Sequence, residues 1–171
     1  MSVLSWGKPT IIVKSEEDGA IYRATPTPVV DTTNLDTTEG ETKEAKKEGG
    51  EVVDVRNDKS AYALTYEIYA EKGQKKPFAD RDGVVLKNYS VYVVPEDESC
   101  IGIAMKKSKV SVKNTFTGAD GAKYLITHKA LANEDGTSQC QFGYLTVTKD
   151  SSGKITDVAI EEVEAESDVE A

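Results

Sequence analysis

The chain is poor in the groups that carry out chemistry. It has one histidine, two cysteines and one tryptophan. General acid–base and nucleophilic catalysis need a proton carrier or nucleophile whose pKa lies near the working pH. The sole imidazole, His128, sits inside ITHKAL. Strand alternation places it on one face with Ile126 and Ala130, opposite Leu125 and Leu131, which is the position of a satisfied or half-exposed strand histidine. Nothing local pairs it with Cys100 or Cys140. Zinc asks for three or four N or S ligands at close spacing, which these residues do not supply. Neither GxxxxGK nor GxGxxG occurs, so no phosphate-cradling loop is expected. Asp80 and Asp82 in ADRDG approach a calcium loop, but Gly83 comes too early and Val84 and Val85 follow it. The expectation is a protein with no catalytic, metal-binding or cofactor-binding residues.

Other absences narrow the class further. No apolar run approaches a membrane span, and MSVLSW lacks the basic start and apolar core of an export leader. The expectation is therefore no membrane binding by this chain, with both cysteines as free thiols. Basic residues come as pairs (Lys46–Lys47, Lys75–Lys76, Lys106–Lys107), and the net charge is −9. That balance argues against wrapping DNA by phosphate neutralisation. The charge is uneven. The stretch from Glu161 to Ala171, EEVEAESDVEA, holds six acidic residues and no basic one, and reads as a solvated acidic tail.

What the chain does have is β patterning. Tyr62, Leu64, Tyr66 and Ile68 fall two apart, the period of a half-buried strand. YSVYVV, from Tyr89 to Val94, is apolar on both faces and reads as a central strand stopped by Pro95. Val110 and Val112 alternate with Lys109 and Lys113, one face wet. Further strands are expected at Thr10–Lys14, Ala20–Ala24, Val52–Val55, Cys100–Met105, Lys107–Phe116, Lys123–Leu131, Gln139–Thr148 and Lys154–Val163. A hairpin turn is expected over Glu16–Gly19. Turn signals recur about every eight to twelve residues, as in a sandwich or barrel. Gly73 to Asp82 predicts one short helix, with Pro77 at a first helical position and Gly83 past the end. Trp6 reads as a packing anchor. The fold class expected is mainly β: an antiparallel sandwich or barrel of two sheets, with one short helix and a long extended arm. Residues 1–160 form the single domain, the arm spans roughly 25–50, and residues 161–171 form the acidic tail.

The arm is the informative part. From Asp31 to Gly50 the chain is polar, with no apolar stripe at helical spacing, and Gly49–Gly50 follows Lys43–Lys47 at once. A structureless loop of that length is uncommon in a compact domain unless it binds something or is disordered. Alternation of Thr with charge suits a strand added to a neighbour's sheet. Asp31, Thr32, Thr33, Leu35, Thr37, Thr38, Glu39, Glu41, Lys43 and Lys46 are the expected inter-subunit arm residues.

SWGKPTIIV (Ser5 to Val13), TPTPVVDTTNLDTTEGETKEAKKEGGEVVDV (Thr25 to Val55) and DGTSQCQFGYLTVT (Asp135 to Thr148) resemble tail tube (major tail) proteins of Bacteroides-type phages and prophages. The likeness covers most of Val3 to Thr148. It implies a sandwich similar to type VI secretion tube subunits, self-association into hexameric rings, and stacking into a hollow tube of the phage tail. Such a tube contacts other tail proteins and passes double-stranded DNA without binding it specifically. The implied location is the virion, after synthesis in the host bacterial cytoplasm. The alternative of the same class is another phage structural subunit: a tail terminator, connector ring or capsid decoration protein. A carbohydrate-binding sandwich would display exposed Trp and Tyr on a flat face, and this chain has only Trp6.

Overall fold

The computed structural model describes residues 4, 7–16 and 21–167. Trp6 and most of the Glu16–Gly19 turn lie outside them. Among the described residues there is no helix, and therefore none long and apolar enough to cross a membrane. Eleven strands form antiparallel pairs: β1 (Thr10–Ser15), β2 (Tyr22–Ala24), β3 (Asn34–Thr38), β4 (Thr42–Lys46), β5 (Val52–Asn57), β6 (Ala61–Tyr69), β7 (Val84–Val94), β8 (Ile101–Thr117), β9 (Gly121–Ala130), β10 (Gln141–Lys149) and β11 (Ile155–Glu162). The protein is mainly β and sandwich-like.

Nine strands form one sheet that doubles back on itself through β7 and β8. Along one side, β8 pairs with β7. Along the other, Ile101–Ala104 pairs with β10, and Ser108–Thr117 pairs with β9. The first layer therefore contains β2, β1, the end of β7, the start of β8, β10 and β11. The second contains the start of β7, the end of β8, β9, β6 and β3. The switch occurs at Lys106–Lys107, where β8 has one residue more than β7 between the pairs Val91–Met105 and Tyr89–Ser108. An extra residue in one strand reverses which side chains face inward. Ile103 and Met105 face the core before it, and Ser108, Val110 and Val112 face it afterwards. The Ser90 hydroxyl donates to the Lys106 carbonyl at 2.7 Å, satisfying the backbone at this bend. The sequence expectation of two short strands here is corrected to one bent strand of 17 residues.

The main core lies between the layers, where Ile11, Val13, Val91 and Met105 meet Leu64, Tyr66, Ile68, Val110 and Ile126. Ile12, Tyr92, Val94 and Ala104 face the other way, into a second cluster with Leu145 and Val158. The first layer curls to make it. Tyr22 of β2 joins this cluster and donates its hydroxyl to Asp157 of β11 at 3.2 Å. That is why Tyr89–Val94 is apolar on both faces.

The short helix expected over Gly73–Asp82 does not form. The segment is a run of turns carrying the chain from β6 to β7, with Gly73, Asp82 and Gly83 all at positive φ. Two helical turns without an apolar stripe have little to hold them. The segment instead inserts one side chain, Phe78, into the main core. Its ring packs edge-on to Tyr89 and His128, with centroids 4.9 Å and 5.5 Å away, and the Arg23 guanidinium covers it at 5.0 Å. Phe78→Ala is expected to destabilise the fold by about 3–5 kcal/mol, read by urea unfolding. A loss below about 1 kcal/mol would show that the crossover does not anchor the core.

Candidate assembly interface

Two halves of the polar arm behave differently. The first is docked on its own domain. The Thr32 hydroxyl donates to the Val29 carbonyl at 2.7 Å and accepts the Glu67 amide at 3.2 Å. Asp31 occupies a left-handed turn, with φ 59°. β3 pairs with β6 in the register Leu35–Leu64 and Thr37–Tyr62, and Leu35 packs against the main core. Thr33 and Leu35 are half-buried, whereas Thr37, Thr38 and Glu39 are exposed.

The second half stands off the domain. Among the described residues β4 and β5 pair only with each other, and every residue of both strands is exposed. The register sets Thr42 opposite Asn57, Glu44 opposite Val55, and Lys46 opposite Val52, with a bulge beside Ala45. Gly49 and Gly50 make the tip, both at positive φ. The base is pinched shut: the Asp58 amide donates to the Glu41 carbonyl at 2.9 Å. Gly40 lies so close to the Asp58 carbonyl that no side chain fits there. Lys43 and Arg56 both reach Asp58, at 3.4 Å and 3.8 Å; exposed pairs of this kind add little stability. Of the predicted arm residues, Glu41, Lys43 and Lys46 belong to this hairpin. Val52, Val53 and Val55, each about half exposed, fall in an expected strand but outside the expected arm. The clue in the sequence was three valines beside a polar strand with no apolar partner. A two-stranded hairpin alone in water is marginally stable, so this one has surface to give to a partner.

The domain offers open edges as well. Among the described residues β3 pairs only with β6, and at the start of β7 Val84 bonds back to Arg81 at 3.0 Å while no strand lies beside Leu86 on the edge away from β8. Leu86, at 86% exposure, projects from that second edge, where β7 carries two extra residues relative to β8. An open groove of about 690 Å³ runs beside it, lined by Ala79–Asp82 and Val84–Lys87. Unpaired edges are templates for pairing with another chain. Ile101, Phe142 and Tyr144 form a second exposed apolar patch, where Tyr144 lies opposite Ile101 on the first layer.

No protein-family model matches the chain, and neither does any curated protein.

His128 and both cysteines are buried. His128 is fully buried, and its Nε2 lies 2.9 Å from the Tyr66 hydroxyl. Ser108 Oγ is 3.4 Å from Nδ1 and donates to the Tyr89 carbonyl at 2.7 Å. Since the serine proton is committed to that carbonyl, Nδ1 carries the hydrogen and donates to Ser108. Nε2 then accepts from Tyr66. Burial holds His128 down at about 3 and pushes the Tyr66 hydroxyl well above its ordinary range. A serine beside a histidine resembles a nucleophile and base, but no substrate reaches a pair sealed inside the core. Cys100 and Cys140 are free and buried. They precede antiparallel neighbours β8 and β10 at opposite ends of their pairing, and burial pushes the Cys140 thiol up to about 11. The Asp80 carboxylate is taken up by Lys76 at 3.0 Å, the Gly83 amide at 3.1 Å and Asn114 at 3.3 Å. These partners hold it below the usual carboxylate range. Among the described residues no group of three or more His, Cys, Asp and Glu is arranged to hold a metal.

Proposed function

We propose that the protein is a self-assembling structural subunit, and that its assembly is a phage tail tube of stacked rings through which DNA passes. The observation that carries the self-assembly reading is the β4–β5 hairpin: sixteen residues from Thr42 to Asn57, two strands and their turn, wholly exposed. Its chemistry suits a sibling molecule, with three valines to bury and unsatisfied backbone on both long edges. β3 and the start of β7 lie on opposite borders of the second layer, so copies joined head to tail at these borders would form a ring where the rotation between them closes. The tube identity rests on the sequence resemblance, with which a mainly β, sandwich-like domain agrees.

Limited trypsin digestion tests the hairpin's role. Free protein is expected to be cut at Lys46, Lys47 and Arg56 first, because proteolysis concentrates at exposed loop tips. Assembled protein is expected to resist there by at least about tenfold in rate. Equal cleavage in the two states would remove the hairpin from the interface. Negative-stain microscopy of the concentrated protein separates the finer readings. Long hollow tubes support a tail tube, closed rings of fixed size support a terminator, connector or decoration subunit, and dispersed monomers at every concentration overturn self-assembly.

A further inference from the structure

The outer face of the second layer carries an uncompensated row of positive charge. Lys109 on β8 lies directly opposite Lys129 on β9, and Lys113 follows four residues along β8, opposite Leu125. All three are exposed, and none forms an ion pair among the described residues. Like charges set opposite one another across strands are destabilising, and this arrangement stands in a chain of net charge −9. The surrounding face is flat and small-chained, with Ser111, Thr127, Thr65 and Ala63 in register beside the lysines. Its two carboxylates are engaged elsewhere. Glu67 reaches Lys123 at 3.8 Å, and Asp36 accepts the Asn34 amide at 2.8 Å.

The complementary charge lies at the other end of the chain. β11 ends in Glu161 and Glu162, and the Val163 amide still bonds to the Phe142 carbonyl at 3.1 Å. Beyond it Glu164 and Glu166 are exposed, and the sequence continues through Asp168 and Glu170. None of Glu161, Glu162, Glu164 and Glu166 forms an ion pair among the described residues. This segment leaves the first layer, whereas the lysine row covers the far face of the second. On its own domain it would have to wrap round the edge of two stacked sheets. A second copy presents the same row without that detour.

We propose that the acidic C-terminal segment of one copy docks on the Lys109–Lys113–Lys129 face of the next. The contact is heterologous, so it propagates from copy to copy. It rests on the self-assembly reading but adds an electrostatic joint separate from the hairpin. Exposed ion pairs are individually weak, yet several acting together across a desolvated face set register and specificity.

Charge exchange tests it. The triple variant Lys109→Glu/Lys113→Glu/Lys129→Glu, and separately Glu162→Lys/Glu164→Lys/Glu166→Lys, are each expected to raise the critical concentration for assembly at least about tenfold, a loss of about 1.4 kcal/mol. Circular dichroism is expected to stay unchanged, since all six side chains are exposed. Combining both sets in one chain is expected to restore assembly to within about threefold of the unaltered protein, because positive then meets negative with polarity reversed. Assembly of the unaltered protein should weaken with added salt. If the combined variant is no better than either parent, or if a reversal leaves an assembling protein unchanged, the docking site is wrong while self-assembly stands. If the unaltered protein never assembles, both fall. Crosslinks between Lys109 and Glu164 confined to single copies in an isotopically mixed sample would overturn the proposal in favour of an intramolecular strap. Binding of duplex DNA by the unaltered protein, lost with the lysine reversals, would overturn it in favour of nucleic acid.

Discussion

Acidifying the protein from about pH 6.5 to about pH 4 is expected to remove roughly 3 kcal/mol of folding free energy through His128 alone. The imidazole is sealed between Val110 and Leu64 in the strand register, with Phe78 edge-on and Tyr66 stacked at 5.5 Å. Neutral, it is satisfied: Nδ1–H donates to Ser108 and Nε2 accepts from Tyr66. Protonated, it places a charge in the core, cut off from water. Burial lowers its pKa from 6.5 to about 3 in the folded protein. The unfolded chain therefore takes up this proton first as the pH falls. Stability is at its full value above 6.5, declines through the window, and levels off below about 3. The lowered carboxylates, Asp80, Asp97, Asp135 and Asp150, lose their contributions progressively from about pH 5 downward, as the unfolded chain takes up their protons. The decline between 6.5 and about 5 thus belongs to the histidine, and below that the His128→Gln control separates its share. Urea unfolding measured across that range checks it, with His128→Gln as the control. Glutamine can still accept from Tyr66 but has no proton to gain, so its profile should be nearly flat from 6.5 to about 5 and fall less than that of the unaltered protein below it. An unaltered protein whose stability is constant from 6.5 to 4 would refute the buried-imidazole account.

The face on which His128 sits was legible in ITHKAL, because period-two alternation ties it to Ile126 and Ala130. Its partners were not. Ser108 and Tyr66 lie 20 and 62 residues away, and only the two-layer fold brings them together. The same contrast runs through the molecule. Strands whose burial is one-sided or two-sided, such as Tyr62–Ile68, Val110–Val112 and Tyr89–Val94, announce themselves because packing dictates their side chains. β3 and β4 do not, since their residues are mostly exposed and their pairing is decided by backbone edges that any polar sequence can satisfy. The bend in β8 was hidden for another reason. Lys106–Lys107 looks like an interruption, and a bulge that reverses the inward face breaks the alternation a reader follows. Gly73–Asp82 misled because Pro77 and Gly83 fit helix boundaries, whereas the single buried Phe78 and three left-handed residues decide the path. Leu86 gave no warning at all: in sequence it continues Val84–Val85 as though all three were core.

Excising the β4–β5 hairpin is expected to leave the domain folded and abolish its assembly. The geometry makes the cut clean. Glu41 and Asp58 are already joined by a backbone hydrogen bond at the pinched base, so a two-residue Asn-Gly turn in place of Thr42–Asn57 reconnects the chain with little strain. No core residue is lost, because neither cluster draws a side chain from β4 or β5. β3 keeps its partner, with Thr38 still opposite Ala61. Removing exposed, self-contained residues should change stability by no more than about 0.5 kcal/mol, with shorter loop closure slightly in its favour. Assembly should respond oppositely. Burying Val52, Val53 and Val55 against a sibling contributes about 25 cal/mol per Å² of apolar surface, and edge pairing adds backbone hydrogen bonds. Losing both is expected to raise the critical concentration by at least about a hundredfold, or about 2.8 kcal/mol per contact. Thermal unfolding measures the first expectation, and sedimentation velocity with negative-stain microscopy the second. A shortened protein that still builds the same particles at the same concentration would show that the hairpin is ornament to the assembly. One that unfolds would show that this outlying pair of strands supports its own domain.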